Sequence, residues 1–201
     1  MRIGQGFDAH RYADDDRPLV LGGIVFEGER GLEGHSDADA VTHAVTDAML
    51  SAAGLGDIGQ MFPDDDPALA SADSIELLRL SAARIEDAGY RLINADCTVV
   101  ADRPKIASHK DAMQQRLSDA AGGPVTVCGK RTEGIGSLGR GEGVVALAVA
   151  LLPSAPHATS RRSCISGALA STVLFLDRPT AGADVLPSAP DTKVQQWLEQ
   201  Q

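Results

Sequence analysis

Residues 2 to 12 run Arg2-Ile3-Gly4-Gln5-Gly6-Phe7-Asp8-Ala9-His10-Arg11-Tyr12 and read as a strand. In a strand, positions i and i+2 point to one face, so Asp8 and His10 converge on the same side. Downstream, Leu19 to Phe26 reads as one or two short strands around Gly22-Gly23, and Ile93 to Ala101 as another, rich in β-branched residues. A helix is predicted from about Asp39 to Ala53, with Val41, Ala44, Val45, Ala48 and Leu55 as its apolar stripe. A second helix opens at Asp73, whose carboxylate can cap the first turn with Glu76 three residues on. Its buried face is Ile75, Leu78, Ala82 and Ile85, and Gly89 ends it. Pro104 suits the first turn of a third helix closing near Gly122-Gly123. Val144 to Leu152 is a nine-residue apolar run after a glycine-rich loop and reads as a buried strand. Strands alternating with helices predict an α/β sandwich.

The composition bounds what such a chain can do. With 201 residues and 43% apolar content it can bury one ordinary core, so one domain plus an appendage is expected. From Pro153 the texture changes to Ser, Ala, Thr and Pro, and five of the ten prolines fall there. The division predicted is therefore 1–152 as the domain and 153–201 as a low-complexity C-terminal extension, within which Ile165 to Leu176 is apolar but too short to cross a bilayer. A formal charge of −10 argues against a nucleic-acid partner, because such binding neutralises phosphates with Lys and Arg. Cys97, Cys128 and Cys164 are odd in number and widely spaced, which suggests neither a disulfide framework nor a cysteine zinc site. With no basic-then-apolar leader and no apolar run near about 18 residues, a soluble cytoplasmic protein without a membrane partner is expected.

Three clusters carry candidate chemistry. His43 lies on the first predicted helix with Asp39 and Asp47 at i−4 and i+4, on its polar stripe. Asp8, His10 and His43 together make one carboxylate and two imidazoles, the donor set of a catalytic zinc site with an open position. The alternative is a local Asp8–His10 pair and a solvated surface histidine. Gly34-His35-Ser36-Asp37-Ala38-Asp39 precedes that helix, where free N–H groups can receive a phosphate or be capped by Ser36 or Asp37. Leu55-Gly56-Asp57-Ile58-Gly59 and Phe62-Pro63-Asp64-Asp65-Asp66-Pro67 offer carboxylates to a polyol, or form a solvated acidic loop.

Gly134-Ile135-Gly136-Ser137-Leu138-Gly139 matches the spacing of a dinucleotide fingerprint, but not its context at the start of a βαβ unit. What remains is flexible backbone beside Lys130, Arg131, Thr132, Glu133 and Arg140, able to hold a diphosphate and, through Glu133, a divalent cation. Lys105, just after Pro104, is a further phosphate candidate or simply a solvated lysine.

Taken in order, Gly4-Gln5-Gly6-Phe7-Asp8-Ala9-His10, Gly34 to Asp39, Leu55 to Gly59, Phe62-Pro63-Asp64 and Gly139-Arg140-Gly141-Glu142-Gly143 resemble the 2-C-methyl-D-erythritol 2,4-cyclodiphosphate synthase family. The resemblance implies an α/β (α+β) fold: a two-layer sandwich of a mixed β-sheet with helices on one face, assembled as a homotrimer with active sites at subunit interfaces. It implies cyclisation of 4-diphosphocytidyl-2-C-methyl-D-erythritol 2-phosphate with release of CMP, in the non-mevalonate pathway. Asp8, His10 and His43 would hold Zn2+, and Glu133 the Mg2+ or Mn2+ that accompanies the diphosphate. His35, Ser36, Asp57, Gly59 and Asp64 would hold the methylerythritol phosphate; Ala101, Lys105, Ile106 and Thr132 would hold the cytidine diphosphate. Arg140 would line a central cavity, and Lys105 and Thr132 would join the metal ligands as catalytic residues. The chain departs from the family at Gly129-Lys130-Arg131, where further threonines are common. Two other functions fit the same residues: a metal-dependent diphosphate hydrolase, and a catalytically degenerate trimeric isoprenoid-phosphate-binding protein.

Overall fold

The first strand, β1 (Arg2–Arg11), and the first helix, α1 (Ala40–Ala53), meet backbone to backbone, and two glycines make that possible. A Cβ on Gly6 would fall 1.9 Å from the Ala44 carbonyl oxygen, and one on Gly4 would fall 2.1 Å from that of Ala48. With Ala44, Ala48 and Ala52 on the facing stripe, strand and helix approach closely enough to set the side chains of residues 8, 10 and 43 around one point. These observations come from a computed structural model that describes residues 1–63, 69 and 72–153.

The remaining elements are β2 (Leu19–Leu21), β3 (Ile24–Phe26), α2 (Ile58–Met61), α3 (Ser74–Asp87), β4 (Asn94–Val100), α4 (Lys110–Ala121), β5 (Val125–Lys130), α5 (Gly136–Gly139) and β6 (Gly143–Leu152). The main sheet has the order β1-β6-β4-β5. β6 pairs antiparallel with both β1 and β4, while β5 runs parallel to β4, so the sheet is mixed as expected. β2 and β3 form a separate hairpin through Gly22 and Gly23, both with positive φ. The helices α1, α3 and α4 cover one face: Val41, Val45, Leu78, Ile85, Met113 and Leu117 pack there against Cys97, Val127, Ala146 and Ala148 of the sheet.

Several expectations change in detail. The third helix does not begin at Pro104. Buried Ile106 tacks the chain down in a short 3-10 turn, Ile106–Ser108, and α4 starts at Lys110. β5 adds a strand that the reading above does not contain. β6 is buried on one face only: Val144, Ala146, Ala148, Ala150 and Leu152 point inward, whereas Leu147 and Val149 are exposed. The glycine-rich loop follows β5 but leads through the four-residue α5 into β6, which lies beyond β4 and runs antiparallel to it, and this excludes the dinucleotide-binding unit. Asp64 and the extension from 154 onward lie outside the described residues.

Candidate active site

Asp39, not Ser36 or Asp37, caps α1. Its fully buried carboxylate accepts the N–H groups of Val41 (3.1 Å) and Thr42 (3.0 Å), the Thr42 hydroxyl (2.7 Å), and the N–H groups of Gly22 (2.8 Å) and Gly23 (2.6 Å). These bonds fix the helix start against the β2–β3 hairpin. They also occupy the Val41 and Thr42 N–H groups, two of those that a phosphate at this helix start would use. Asp37 instead serves α3, accepting the Ser74 N–H at 3.1 Å as well as the Ser74 hydroxyl. Burial and the nearby Asp39 push the Asp37 carboxyl up to about 6, which leaves it mostly ionised at neutral pH.

With α1 fixed, the three expected metal ligands come together. One ligand atom from each of Asp8, His10 and His43 lies within 4.8 Å of the others. Asp8 Oδ2 is 3.0 Å from His43 Nδ1 and 3.0 Å from His10 Nε2. The His10 Nδ1 lies 2.5 Å from the Glu33 carbonyl oxygen, which can only accept, so Nδ1 carries the proton and Nε2 presents a lone pair. That Nε2 is buried, and despite its distance from Asp8 it makes no well-directed hydrogen bond. A buried nitrogen with no partner costs free energy unless something ligates it, and this donor set matches a divalent transition metal. His43 Nε2 is 2.9 Å from Ser74 Oγ and 3.0 Å from Ser36 Oγ. Burial opposes ionisation of Asp8, yet the neighbouring imidazoles, His10 at 3.0 Å and His43 with its hydrogen bond, hold its carboxyl well below the usual range. The same Asp8 contact outweighs burial at His43 and raises its pKa.

The triad sits at a cavity of about 280 Å3 lined also by His35, Ser36, Gly59, Ile58, Phe62, Leu69 and Leu77. His35, Ser36 and Gly59 are thus gathered beside the metal ligands as expected. Asp57 is not among the lining residues; its carboxylate caps α2 by accepting the Gln60 N–H at 2.8 Å. Asp47 likewise anchors α2, accepting the Ile58 N–H at 2.7 Å.

Ala101, Lys105 and Ile106 line a different cavity, of about 360 Å3, with Lys110, Lys130 and Arg131. It shares no lining residue with the first. Thr132 is not among its lining residues but bonds one of them, its N–H and hydroxyl donating to the Asp102 carboxylate at 3.0 and 3.2 Å. These bonds hold Asp102 below the usual carboxylate range. Glu133 is exposed with a φ of 53°, a left-handed backbone that a non-glycine residue seldom adopts and that is found disproportionately at functional positions. Arg140 is exposed and paired with Glu142 at 2.7 Å. Ser74 and Asp102 belong to these clusters without having been singled out from the sequence. Each acts across 30 or more residues, a separation that local spacing does not report.

Comparison with known proteins agrees with this arrangement. Residues 1–153 match the model of the YgbB family. The chain is 51% identical over 157 residues to the 2-C-methyl-D-erythritol 2,4-cyclodiphosphate synthase of Chromobacterium violaceum, covering 77% of this chain and 99% of that one. It is 51% identical over 154 residues to the synthase of Geobacillus kaustophilus, covering 75% and 97%. Among solved structures it resembles the bifunctional IspDF of Campylobacter jejuni (TM-score 0.72, 39% identity), covering 75% of this chain and 42% of that one. It also resembles the CDP complex of IspF from Plasmodium falciparum (TM-score 0.65, 31% identity), covering 75% and 94%. By this match and the Asp8–His10–His43 centre that it contains, the chain belongs to the 2-C-methyl-D-erythritol 2,4-cyclodiphosphate synthase (YgbB) family.

Proposed function

We propose that this chain converts 4-diphosphocytidyl-2-C-methyl-D-erythritol 2-phosphate to 2-C-methyl-D-erythritol 2,4-cyclodiphosphate and CMP, a phosphorus–oxygen lyase reaction supplying isoprenoid precursors. The observation that carries the reading is the Asp8–His10–His43 cluster opening onto the cavity of His35, Ser36 and Gly59. Zn2+ held by that cluster, with Mg2+ or Mn2+ beside Glu133, supplies Lewis-acid polarisation of phosphate oxygens and offsets their charge.

The chain's residues then have to position rather than to deprotonate. A phosphate monoester has a second pKa near 6, so at neutral pH the 2-phosphate is mostly a dianion and no strong general base is needed. Its oxygen forms a bond to the β-phosphorus. The bond from that phosphorus to the bridging oxygen breaks, and the electron pair leaves with CMP, so no water is consumed. His35 and Ser36 orient the methylerythritol phosphate, while Ile58, Phe62, Leu69 and Leu77 exclude water from the reacting atoms. Asp57 and Asp64 are assigned to the polyol, Asp57 acting by the α2 turn that it caps. On the nucleotide side, Ala101 and Ile106 shape the pocket for cytidine. Lys105, Thr132, Lys130 and Arg131 face the diphosphate, and this local positive charge lets an acidic protein bind a polyanion.

A homotrimer with shared sites is part of the proposal. Two features support it. The two cavities share no residue within one subunit, as expected if each completes its site against a neighbouring copy. The outer face of the sheet is apolar: Ile3, Phe7, Leu147 and Val149 are exposed together on β1 and β6. Arg140, at one end of this face, is assigned to the central cavity. The activity is assigned to residues 1–152, with 153–201 as an extension.

Phosphorus NMR of metal-loaded protein with the cytidyl diphosphate substrate and Mg2+ tests the reading, run on the full chain and on a chain ended after Leu152. Cyclic diphosphate plus CMP is expected from both, at rates within about three-fold of each other. Linear products would identify a diphosphate hydrolase, and bound but unreacted substrate a binding protein.

A further inference from the structure

Ser74, the first residue of α3, is fully buried and absent from the walls of either cavity, yet its hydroxyl lies 2.9 Å from His43 Nε2. It cannot touch substrate there. The same hydroxyl bonds the Asp37 Oδ1, and the Ser74 N–H donates to Asp37 Oδ2 at 3.1 Å. A hydroxyl has one proton, and an ionised carboxylate only accepts, so the proton goes to Asp37. The Ser74 oxygen is left with lone pairs directed at His43. Nε2 is then held as a protonated ring nitrogen, which leaves Nδ1, hydrogen-bonded to Asp8 Oδ2 at 3.0 Å and inside the ligand set, as the nitrogen that gives up its proton to an ion. Ser36 also approaches Nε2 at 3.0 Å, but it lines the cavity and its hydroxyl accepts the Ala38 N–H at 3.4 Å. Ser74 does not line it, and its oxygen also lies 3.3 Å from Ser36 Oγ.

We infer that Ser74 and Asp37 form a positioning pair for the metal centre, fixing His43 as the Nε2–H tautomer and so making Nδ1 its ligating atom. This rests on the metal reading given above and assigns α3, which supplies none of the three ligands, a part in holding the ion. Ligating histidines generally owe their orientation to such a partner on the other nitrogen. The pair also has a direction. In Asp37→Asn the side-chain amide must turn its NH2 either toward the Ser74 N–H, setting donor against donor, or toward the Ser74 Oγ, which frees the Ser74 proton for His43 Nε2; either way the donor chain that runs from His43 through Ser74 to residue 37 is disturbed.

The test uses full-length, zinc-loaded protein and two readouts: zinc retention against a chromogenic chelator, and the ring resonances of His43 in proton–nitrogen NMR. Ser74→Ala and Asp37→Asn are each expected to weaken zinc retention about 10- to 100-fold and to lose the Nε2–H signature of His43. The double variant is expected to lose no more than the worse single one, as for residues acting as a unit. Circular dichroism identifies the variants that fold, and Asp37→Asn decides the matter if Ser74→Ala does not. A folded variant that holds zinc within about two-fold of the unsubstituted chain, or that keeps the Nε2–H resonance, overturns the inference. Failure of the unsubstituted chain to hold zinc overturns the metal reading itself and this inference with it.

Discussion

His43 shows how much one side chain is asked to do. It is 14% exposed, meets Asp8 through one ring nitrogen and two hydroxyls through the other, and lies edge-on to His10 with ring centroids 5.6 Å apart. Its surroundings are polar at the tip and α-helical at the base, so removal of the imidazole leaves α1 its Asp39 cap and its apolar stripe. His43→Ala is therefore expected to reduce turnover to background and to weaken zinc binding while leaving the assembly intact. Sedimentation velocity beside the phosphorus assay checks both halves, and full activity in the variant would remove His43 from the metal centre. From spacing alone His43 had two readings, ligand or solvated surface residue. The structure removes the solvated reading because the fold brings a residue 35 positions away within 3.0 Å, information that no local pattern holds.

At the level of elements, the strand–helix contact of β1 and α1 is the most exacting. In Gly6→Ala the added carbon meets the Ala44 carbonyl at 1.9 Å, and neither backbone can withdraw without dislocating the sheet or the helix. A loss of about 3 kcal/mol or more in urea unfolding is expected, the upper range for overpacking; a loss below about 1 kcal/mol would show that the two elements can slide apart. Most elements were legible because their signals are local. The Asp73 cap, the Ile75-Leu78-Ala82-Ile85 stripe and the Gly89 stop lie within the helix that they describe, and α3 follows them closely. Less legible were elements decided by distant partners. β5 is a six-residue edge strand ending in Cys128-Gly129-Lys130, with only β4 to reveal it. Pro104 suited a helix start, but the burial of Ile106 delays the helix to Lys110. In β6 both faces are apolar, so the period of two that marks a one-sided strand is hidden.

For the whole molecule, that two-sidedness of β6 points beyond the single chain. Leu147 stands opposite Phe7 across the β6–β1 pair, 37% and 58% exposed, and a monomer would leave this patch in water. Leu147→Asp places a charge there without touching the inner core. It is expected to give folded monomers in sedimentation velocity with the cyclase activity lost; an active monomer would show that one subunit holds a complete site. No described helix is long and apolar enough to cross a membrane. The position of β1 in the sheet has a consequence of its own. It is an edge strand, paired on one side only, and it carries two of the three metal ligands while the third belongs to a helix. An ion bound there would work as a clasp, fastening the free hem of the sheet to α1 and closing a loop of 35 residues without a covalent bond. The ion proposed to polarise the substrate would thereby also be the stitch that keeps the sheet's border from fraying.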